Sequence, residues 1–394
     1  MDWIINMNLI NSHHKNPISR QMLSFWEKKN FLKHDLIVIG GGIVGLSTAI
    51  QYKELFPERK VLVLERGLFP SGASSKNAGF ACFGSLTEIL DDLEVLPKEE
   101  VVTLVKRRYD GLLAIREKFG DAELEFREDG GFELITDKEL SAMQKMEEIN
   151  ELLYPIFNQF VFSALPSHGA FGFGPKVKAV VKNAFEGELD SGKFINTLWQ
   201  TSSKLGVKIL TGARVSRMIQ EEGILEVDGF GEKIHFRASQ LALCTNAFTS
   251  SFLPDMDLRP GRGLVMVTAP LPYEIPWKGA FHYDKGYVYF RNIDNRLLLG
   301  GGRNIDFEGE ETVDFGINPN IKRYLLEIMK EVIFPNSAPK IETEWSGIMA
   351  FGADKRPIVK TLTPNVAMAV RLGGMGVAIG WQTASELVNL LSEA

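Results

Sequence analysis

Apolar residues near the start of the chain follow the patterns of two buried strands with a helix between them. Residues 36–39 and 61–64 are short, wholly apolar runs, which is typical of strands buried on both faces of a parallel sheet. The segment that begins at residue 43 is longer and predicts a helix that ends before Pro57. The order strand, helix, strand predicts a βαβ unit.

Similar patterns along the rest of the chain predict a mixed α/β architecture. Helices are expected over residues 17–33, 86–119, 137–158, 193–205 and 377–391. Strands are expected over residues 207–210, 215–220, 224–227, 241–247, 264–268, 287–291, 296–300 and 366–372. An alternating pattern over residues 123–135, interrupted by Gly130 and Gly131, predicts a strand pair or a bulge. In the first helix, Met22, Phe25 and Trp26 form one apolar face.

Composition and charge narrow the class of protein. The 394 residues are 45% hydrophobic, enough for two domains or for one large domain with an insertion. The formal net charge of −6 provides no basic field, so we expect no nucleic-acid partner. No apolar run is long enough to span a bilayer, and the start of the chain lacks a signal-peptide pattern, so we expect a cytoplasmic protein.

The cysteines and histidines show no spacing of a metal site. Cys82 and Cys244 lie far apart, which favours two buried thiols in a reducing compartment over a disulfide. The six histidines have no metal-ligand spacing. We therefore expect no metal.

The turn between the first strand and helix contains glycines at the spacing of a dinucleotide-binding loop. Gly40 permits the tight turn, Gly42 lets backbone N–H groups approach a diphosphate, and Gly45 lets the helix pack closely on the strand. The helix begins at Ile43 and Val44, and its N-terminal end favours an anion. The loop therefore predicts a diphosphate site.

An acidic residue closes the second strand of the unit. Glu65, followed by Arg66, stands where a carboxylate can accept hydrogen bonds from both ribose hydroxyls of an adenosine. A glycine-rich turn alone is weak evidence. Strand, glycines, helix, strand and acid in this order strongly favour dinucleotide binding.

Three further motifs follow in the sequence. Residues 72–79 read Gly-Ala-Ser-Ser-Lys-Asn-Ala-Gly. Arg214-Val215 and, later, Thr245-Asn246-Ala247 form another motif. The last combines residues 345–347 (Trp-Ser-Gly) and 354–357 (Asp-Lys-Arg-Pro) with the turn Gly373-Gly374-Met375-Gly376-Val377.

With these motifs in this order, the chain from about residue 25 onward resembles the FAD-dependent glycine/D-amino-acid oxidase (DAO) family, and within it the γ-glutamylputrescine oxidase-like branch. The resemblance implies an α/β fold with a Rossmann-like FAD-binding domain of the glutathione-reductase type. It further implies that residues 1–85, 189–250 and 345–394 form this domain. Residues 86–188 and 251–344 would form an inserted α+β substrate-binding domain built on an antiparallel sheet.

The resemblance also implies the cofactor and its contacts. No cysteine stands near Trp345 where covalently flavinylated relatives attach the cofactor, so we expect non-covalent FAD. The turn before the last helix would lie at the pyrimidine edge of the flavin and stabilise negative charge there. The residues expected to bind FAD are Gly40, Gly42, Ile43, Val44, Gly45, Glu65, Arg66, Ala73, Ser74, Ser75, Lys76, Asn77, Ala78, Gly79, Val215, Thr245, Asn246, Ala247, Gly347, Gly373, Gly374, Met375, Gly376 and Val377.

The reaction implied by the family is oxidation of the C–N bond of a small amine or amino acid. Hydride passes to flavin N5, the imine hydrolyses, and oxygen or another acceptor removes the electrons. The flavin performs the redox chemistry, so a protein acid–base triad is not required. The expected catalytic residues are His282, Tyr289 and Arg291, and Tyr287, Met349 and Arg303 are expected to contact substrate.

Two positions depart from the family pattern. Met349 stands where members that oxidise α-amino acids have an arginine for the substrate carboxylate. Either Arg291 or Arg303 replaces that arginine, or the substrate lacks an α-carboxylate. Leu298 aligns with a lysine that activates oxygen in some oxidases, which puts fast reaction with oxygen in doubt.

Several alternatives stay open at this stage. A nicotinamide-dependent dehydrogenase would use the same glycine-rich fingerprint, and a flavin-binding protein without catalysis would carry the same motifs. Arg262 faces either the flavin or an acidic neighbour. Lys355 lies near the cofactor or on the surface.

Overall fold

The computed structural model describes residues 23–166, 169–229 and 233–393. Its α-helices in these ranges are α1 (Phe25–Asn30), α2 (Ile43–Leu55), α3 (Leu86–Val95), α4 (Lys98–Phe119), α5 (Asp121–Leu124), α6 (Met146–Phe157), α7 (Ser191–Lys204), α8 (Pro319–Ile328) and α9 (Gly376–Glu393). No helix in the described ranges has the length and hydropathy needed to cross a membrane.

The strands alternate with these helices in the first half of the chain and predominate after residue 207. They are β1 (Lys33–Ile39), β2 (Val61–Leu64), β3 (Phe80–Ala81), β4 (Gly131–Ile135), β5 (Phe162–Ala164), β6 (Ala179–Asn183), β7 (Gly187–Glu188), β8 (Lys208–Leu210), β9 (Val215–Ile219), β10 (Ile224–Asp228), β11 (Lys233–Leu243), β12 (Arg259–Thr268), β13 (Ala280–Tyr283), β14 (Val288–Ile293), β15 (Arg296–Gly301), β16 (Ile341–Phe351), β17 (Ile358–Thr363) and β18 (Val366–Val370).

The first sheet has β1 near its centre, in the order β17-β18-β11-β1-β2-β8. β1 pairs in parallel with β2 and β11, and β18 extends the parallel part beyond β11. Leu36 and Val38 pack into the helix-side core, whereas Ile37 and Ile39 pack into the core on the opposite face. Burial on both faces explains why this strand is a continuous apolar run.

The second sheet has eight strands in the order β16-β12-β15-β14-β13-β4-β6-β5. All its pairings are antiparallel except that of β13 with β4. Helix α8 packs its apolar face on this sheet. The predicted α/β fold class, with one sheet that has a parallel centre and a largely antiparallel second sheet, is confirmed.

The segment predicted as one helix over residues 86–119 is two helices, a correction that Pro97 explains. The Ser85 hydroxyl caps α3 by accepting a hydrogen bond from the N–H of Glu88. The Glu88 carboxylate in turn accepts a hydrogen bond from the N–H of Ser85. Helix α3 ends at Val95. Pro97 then precedes α4, because its ring fits the start of a helix but not the interior.

Other element boundaries also differ from the sequence predictions. Within residues 123–135 only β4 is a strand, and Asp121–Leu124 is helical. Residues 244–247 leave β11 and enter a 3₁₀ turn, Asn246–Ser251. A 3₁₀ segment, Leu140–Lys145, precedes α6. Of the apolar face predicted near the N-terminus, Phe25 and Trp26 are exposed on α1, and Met22 lies outside the described residues.

Strand β16 contains one of the predicted domain boundaries. It pairs with β12 in the second sheet along almost its whole length, so the predicted boundary at residue 345 falls inside this strand. The chain reaches the first sheet again only at β17. The assignment of residues to two domains stays a prediction.

Candidate active site

A single large cavity runs from the glycine-rich loop to the second sheet. Its volume is about 1140 Å³, above the usual range for sites of small molecules alone. Its wall includes the start of α2, the segment 71–78, the start of α9 and the inner face of the second sheet. The cavity can therefore hold a dinucleotide and a second, smaller molecule together.

The loop before α2 has the geometry of a diphosphate site. Gly40 has a φ of +106°, and a Cβ there would lie 2.6 Å from the carbonyl oxygen of Cys244, directly after the neighbouring strand β11. A Cβ on Gly45 would clash with the carbonyl oxygen of Gly40. Gly42 is the N-cap residue of α2, and Gly42, Ile43 and Val44 place the positive end of this helix at the cavity wall.

Glu65 lies beside this loop at the end of β2. Its two carboxylate oxygens accept the N–H groups of Gly41 (2.9 Å) and Gly67 (2.8 Å), which fixes the side chain at the cavity wall. Arg66 follows, with its guanidinium 3.5 Å from the centre of the Phe248 ring. Both residues line the cavity together with Val215, as expected of an adenosine end.

The segment 72–79 lies between the loop and the second sheet. The Ser74 hydroxyl accepts the N–H of Ile43 at 2.9 Å, at the very start of α2. Asn77 folds the segment on itself, because its side chain accepts the Gly79 N–H and donates to the Ser74 carbonyl. The carbonyl of Lys76 accepts the indole N–H of Trp345 at 2.9 Å. The segment thereby joins the first helix to β16.

The start of α9 forms the far end of the cofactor region. Gly373 and Gly374 have φ angles of +56° and +84°, so the chain reverses between β18 and α9 in a conformation that favours glycine. Met375, Gly376 and Val377 then begin the helix at the cavity wall. Their amides and the dipole of α9 favour negative charge at this point.

The inner face of the second sheet supplies the wall opposite this turn. The register places the following residues in one row across six strands, with their side chains on the same face: Glu133, His282, Tyr289, Gly300, Val265 and Trp345. The Tyr289 ring lies over Gly300, where a Cβ would come within 2.8 Å of its hydroxyl oxygen. Further along, Gly263 of β12 pairs with Gly347 of β16, so no side chain projects from the sheet at these two positions.

The structure brings most of the predicted substrate residues to this wall. His282, Tyr287, Tyr289, Met349 and Arg303 all line the cavity. Burial raises the pKa of Tyr289 to about 12, so its phenol is protonated at neutral pH.

Arg291 is a correction, because its side chain does not reach the cavity. Its guanidinium donates to the carbonyl oxygens of Leu189 (3.0 Å) and Gly79 (3.3 Å), and it lies 3.9 Å from the Glu188 carboxylate. Arg291 is on the same sheet face as Tyr289, but Gly79 and Leu189 cover the face at that point. It ties the segment 72–79 to β7.

Some predicted FAD residues lie behind the cavity wall. These are Gly45, Ser75, Gly79 and Ala247. They place neighbouring residues instead: Ser75 donates to the carbonyl of Pro70, and Ala247 is buried in the core behind the first sheet. All the other residues predicted to bind FAD line the cavity.

The open alternatives for two basic residues now have structural answers. Arg262 forms a two-point ion pair with Glu310 (2.7 and 3.0 Å), so it faces an acidic neighbour. Lys355 lines the cavity, with its ammonium 2.6 Å from Asp92. Leu298 packs in a small apolar cluster with Ala78 and Val265.

A buried ionic cluster behind the wall was not predicted. The His282 ring lies between Glu186 (3.2 Å) and Glu88 (3.6 Å). Burial lowers the pKa of His282, but the hydrogen bond and charge of Glu186, with the charges of Glu88 and Glu133, outweigh it and raise the pKa to about 9. His282 is therefore protonated at neutral pH. Its partners are distant in the sequence, so no spacing motif could reveal the cluster.

Cys82 joins this cluster and gives it the only metal-like grouping in the described part of the chain. The ligand atoms of Cys82, Glu186 and His282 lie within 4.8 Å of one another. Glu186 already accepts the N–H groups of Phe83 and Gly84 and pairs with His282. Hydrogen bonds thus satisfy its carboxylate, and the absence of a metal stays a prediction.

The cavity residues fit FAD when tested on geometry. The positive end of α2, next to Ser74, would hold the diphosphate, Glu65 would hold the ribose, and the start of α9 would lie at the ring system. Gly347 lets the segment 72–79 approach β16 closely, because a Cβ there would lie 3.2 Å from the Lys76 side chain.

Comparisons with known proteins agree with this geometry. The model of the DAO family, FAD-dependent oxidoreductases, matches residues 35–390. The bifunctional protein ThiO/ThiG of Synechocystis sp. is 22% identical over 373 residues, which are 91% of this chain and 51% of that protein. The chain thus spans about half the length of this curated relative.

Two solved structures share the fold at low identity. Glycine oxidase from Geobacillus kaustophilus superposes with a TM-score of 0.73 at 16% identity, over 92% of this chain and 95% of that one. Iminodiacetate oxidase from Chelativorans sp. BNC1 gives 0.71 at 17% identity, over 91% and 95%. Because the family model covers most of the sequence, the chain belongs to the DAO family of FAD-dependent oxidoreductases.

Proposed function

We propose that this protein oxidises the C–N bond of a small amine or amino acid to an imine, which water then hydrolyses to a carbonyl compound. One observation carries the proposal: the cavity that fits FAD continues without interruption to a wall of aromatic and charged side chains. When bound, FAD supplies a two-electron acceptor for the hydride that the carbon next to nitrogen gives up.

The composition of that wall supports a small polar substrate. Phe80, Tyr287, Tyr289 and Phe351 contribute aromatic surface, and Glu88 and Arg303 contribute opposite charges. Two proteins with this fold have names that refer to glycine and iminodiacetate, both of which contain C–N bonds. The narrower assignment to the γ-glutamylputrescine oxidase-like branch stays a prediction.

The helix dipole of α9 has a role in the proposed oxidation. The start of α9 would hold the pyrimidine edge of the flavin ring, where bound FAD would gain negative charge on reduction. The amides at Gly376 and Val377 lie at the cavity wall and present the positive end of α9. Preorganised donors of this kind stabilise developing charge without reorganisation.

The side chains at the substrate wall determine where the amine proton goes. An amine must lose its extra proton before the adjacent carbon can release a hydride. His282 has a pKa of about 9 and holds its own proton at neutral pH, so it is not the base. Glu88 lines the cavity beside it and can accept a hydrogen bond from the ammonium group. We infer that Glu88 orients the amine and that the proton leaves through it.

The test is anaerobic mixing of the purified FAD-loaded protein with a panel of primary amines, secondary amines and amino acids. We expect at least one compound to bleach the oxidised flavin band and to yield one carbonyl product for each flavin reduced. Dithionite provides the control that the flavin can be reduced. If dithionite bleaches the flavin but no compound in the panel does, the alternative of a flavin-binding protein without catalysis is favoured.

The nicotinamide alternative has less support. The family model that covers residues 35–390 belongs to FAD-dependent enzymes. In the same assay, reduced or oxidised nicotinamide dinucleotides should neither bind competitively with FAD nor replace it.

A further inference from the structure

Arg303 presents a guanidinium at the substrate wall without a partner. It begins the 3₁₀ turn Arg303–Ile305 directly after Gly302, whose φ of +75° turns the chain out of β15. The guanidinium carbon lies 3.8 Å from the centre of the Phe351 ring and 4.7 Å from that of Phe307. Two phenyl rings thus hold a planar cation at the cavity wall.

The other cations at this side of the cavity are neutralised by nearby acids. Lys285 pairs with Asp91 at 3.0 Å, and Lys355 pairs with Asp92. Arg262, just outside the cavity, pairs with Glu310. Lys76 faces the ring of Phe315 but belongs to the segment predicted to bind FAD.

Arg303 differs from these residues. Within residues 23–166, 169–229 and 233–393, no carboxylate lies within ion-pair distance of its guanidinium, and no side chain or carbonyl accepts a hydrogen bond from it. Burial lowers the pKa of Arg303, although electrostatic interactions with Tyr287, Glu310 and Glu311 act in the opposite direction. Burying an unpaired charge has a free-energy cost, and an anionic ligand that binds two N–H groups would offset it.

Arg303 lies farther than Met349 from the turn before α9, where the flavin ring is expected. The thioether sulfur of Met349 lies 3.8 Å from where a Cβ on Gly374 would be, next to the turn before α9. The Met349 methyl group lies 2.8 Å from where a Cβ on Gly263 would be, whereas Cδ of Arg303 lies 3.4 Å from where a Cβ on Gly261 would be, two residues earlier on β12. Two strand residues span about 7 Å, which corresponds to several carbon–carbon bonds.

We propose that Arg303 binds the carboxylate of a substrate whose reacting amine is several carbon atoms away, an ω-amino carboxylate or its N-substituted equivalent. The uncharged Met349 occupies the nearer position, so an α-carboxylate would have no cation beside it. This inference rests on the proposed C–N oxidation for the identity of the reacting group. The carboxylate site itself is independent of that reaction.

Equilibrium binding tests the site without turnover. The FAD-loaded protein is titrated with valerate, a carboxylate that has no amine, and binding is followed by calorimetry and by the flavin absorption spectrum. Arg303→Met should raise the Kd for valerate about tenfold to a hundredfold, the range expected for a charge-assisted hydrogen bond. Arg303→Lys should fall between Arg303→Met and the unmodified protein, because it keeps the charge but not the two-point geometry.

Matched controls separate a lost contact from a lost fold. Arg323→Met removes an exposed arginine from α8 and should leave the Kd unchanged. Arg303→Met should change the melting temperature little, because it removes no ion pair and the methionine side chain can still pack on Phe307 and Phe351. Equal Kd values for valerate in the unmodified protein and in Arg303→Met would overturn the proposal.

Substrates in which the amine and the carboxylate are separated by different numbers of carbon atoms test the distance between Arg303 and the reacting carbon. In anaerobic flavin reduction, δ-aminovalerate should react faster than n-pentylamine and faster than D- or L-norvaline, and Arg303→Met should remove that advantage. Faster reduction by norvaline would overturn the inference but leave C–N oxidation intact. If valerate binding depends on Arg303 but no amine reduces the flavin, the carboxylate site stands and the proposed oxidation fails.

Discussion

The backbone N–H of Arg371 donates a hydrogen bond of 3.1 Å to the side-chain oxygen of Asn246, and both residues have a left-handed backbone. Asn246 follows β11 and Arg371 follows β18, so the bond joins the ends of two neighbouring parallel strands. The Arg371 guanidinium is held by Asp257 and Asp354. The two turns at this edge of the sheet therefore support each other, and the second leads directly into α9.

This relationship predicts different effects for two substitutions at Asn246. Asn246→Gly removes the hydrogen bond but tolerates the φ of +46°, whereas Asn246→Ala removes the bond and strains the backbone as well. We expect Asn246→Gly to lower the free energy of unfolding by about 1–2 kcal/mol and Asn246→Ala by about 1 kcal/mol more. Denaturant unfolding measures both, and equal stabilities would show that backbone strain is not the cause.

The start of α2 predicts a strict requirement for glycine at position 42. A Cβ there would lie 2.7 Å from the Ser74 hydroxyl oxygen, and a carboxylate would also repel a diphosphate. Gly42→Asp should abolish FAD retention, measured as flavin absorbance per protein after purification. Stoichiometric FAD in Gly42→Asp would contradict the placement of the diphosphate.

The cofactor-binding segments could be predicted from the sequence because each depends on residues that are close together in the chain. The glycine turn before α2, Glu65 and the turn before α9 each depend on residues within a short segment, and a continuous apolar run suffices to identify β1 and β2. Those segments reach the cavity as expected. The break at Pro97 also had a local signal, since proline ends one helix and begins another.

The substrate wall depends on contacts between distant segments, which pattern analysis could not supply. Tyr289 and Arg291 stand two residues apart on one sheet face, yet only Tyr289 reaches the cavity. The difference comes from Gly79 and Leu189, which cover Arg291 and lie over a hundred residues away. The same limit applies to the Glu186–His282 pair, separated by 96 positions.

Substitution of Met349 tests whether the nearer position of the wall contacts substrate. The Met349 methyl group reaches towards Gly263, where a Cβ would come within 2.8 Å, so an extended side chain fits along this glycine row. Met349→Arg should raise the rate of anaerobic flavin reduction by alanine or norvaline at low substrate concentration about tenfold, because a guanidinium pairs with an α-carboxylate. Met349→Leu keeps the position apolar and should have little effect. Unchanged kinetics in Met349→Arg would show that this side chain does not touch substrate.

The buried Glu133 predicts how stability changes with pH. Burial raises its pKa from 4.5 to about 7, although Thr87 and Ser85 donate hydrogen bonds to it and His282 lies nearby. The folded state therefore holds this proton more tightly than the unfolded chain, and the free energy of unfolding falls as the pH rises from about 4.5 to about 7. His282 acts higher in the range: its stabilising contribution is complete below its ordinary pKa of 6.5 and is lost as the pH rises through about 9.

Glu133→Gln isolates the carboxyl contribution, because an amide cannot ionise but its oxygen can still accept the hydrogen bonds of the Ser85 and Thr87 hydroxyl groups. Between about pH 5 and about pH 8, the variant should lose less stability than the unmodified protein, by an amount on the order of 3 kcal/mol at most. Glu151→Gln, an exposed position on α6, provides the control and should reproduce the unmodified pH dependence. Denaturant midpoints at the two pH values measure the difference. Parallel curves for Glu133→Gln and the unmodified protein would mean that Glu133 titrates at the same pH in the folded and unfolded chain, so that its burial has no effect on the pH dependence of folding.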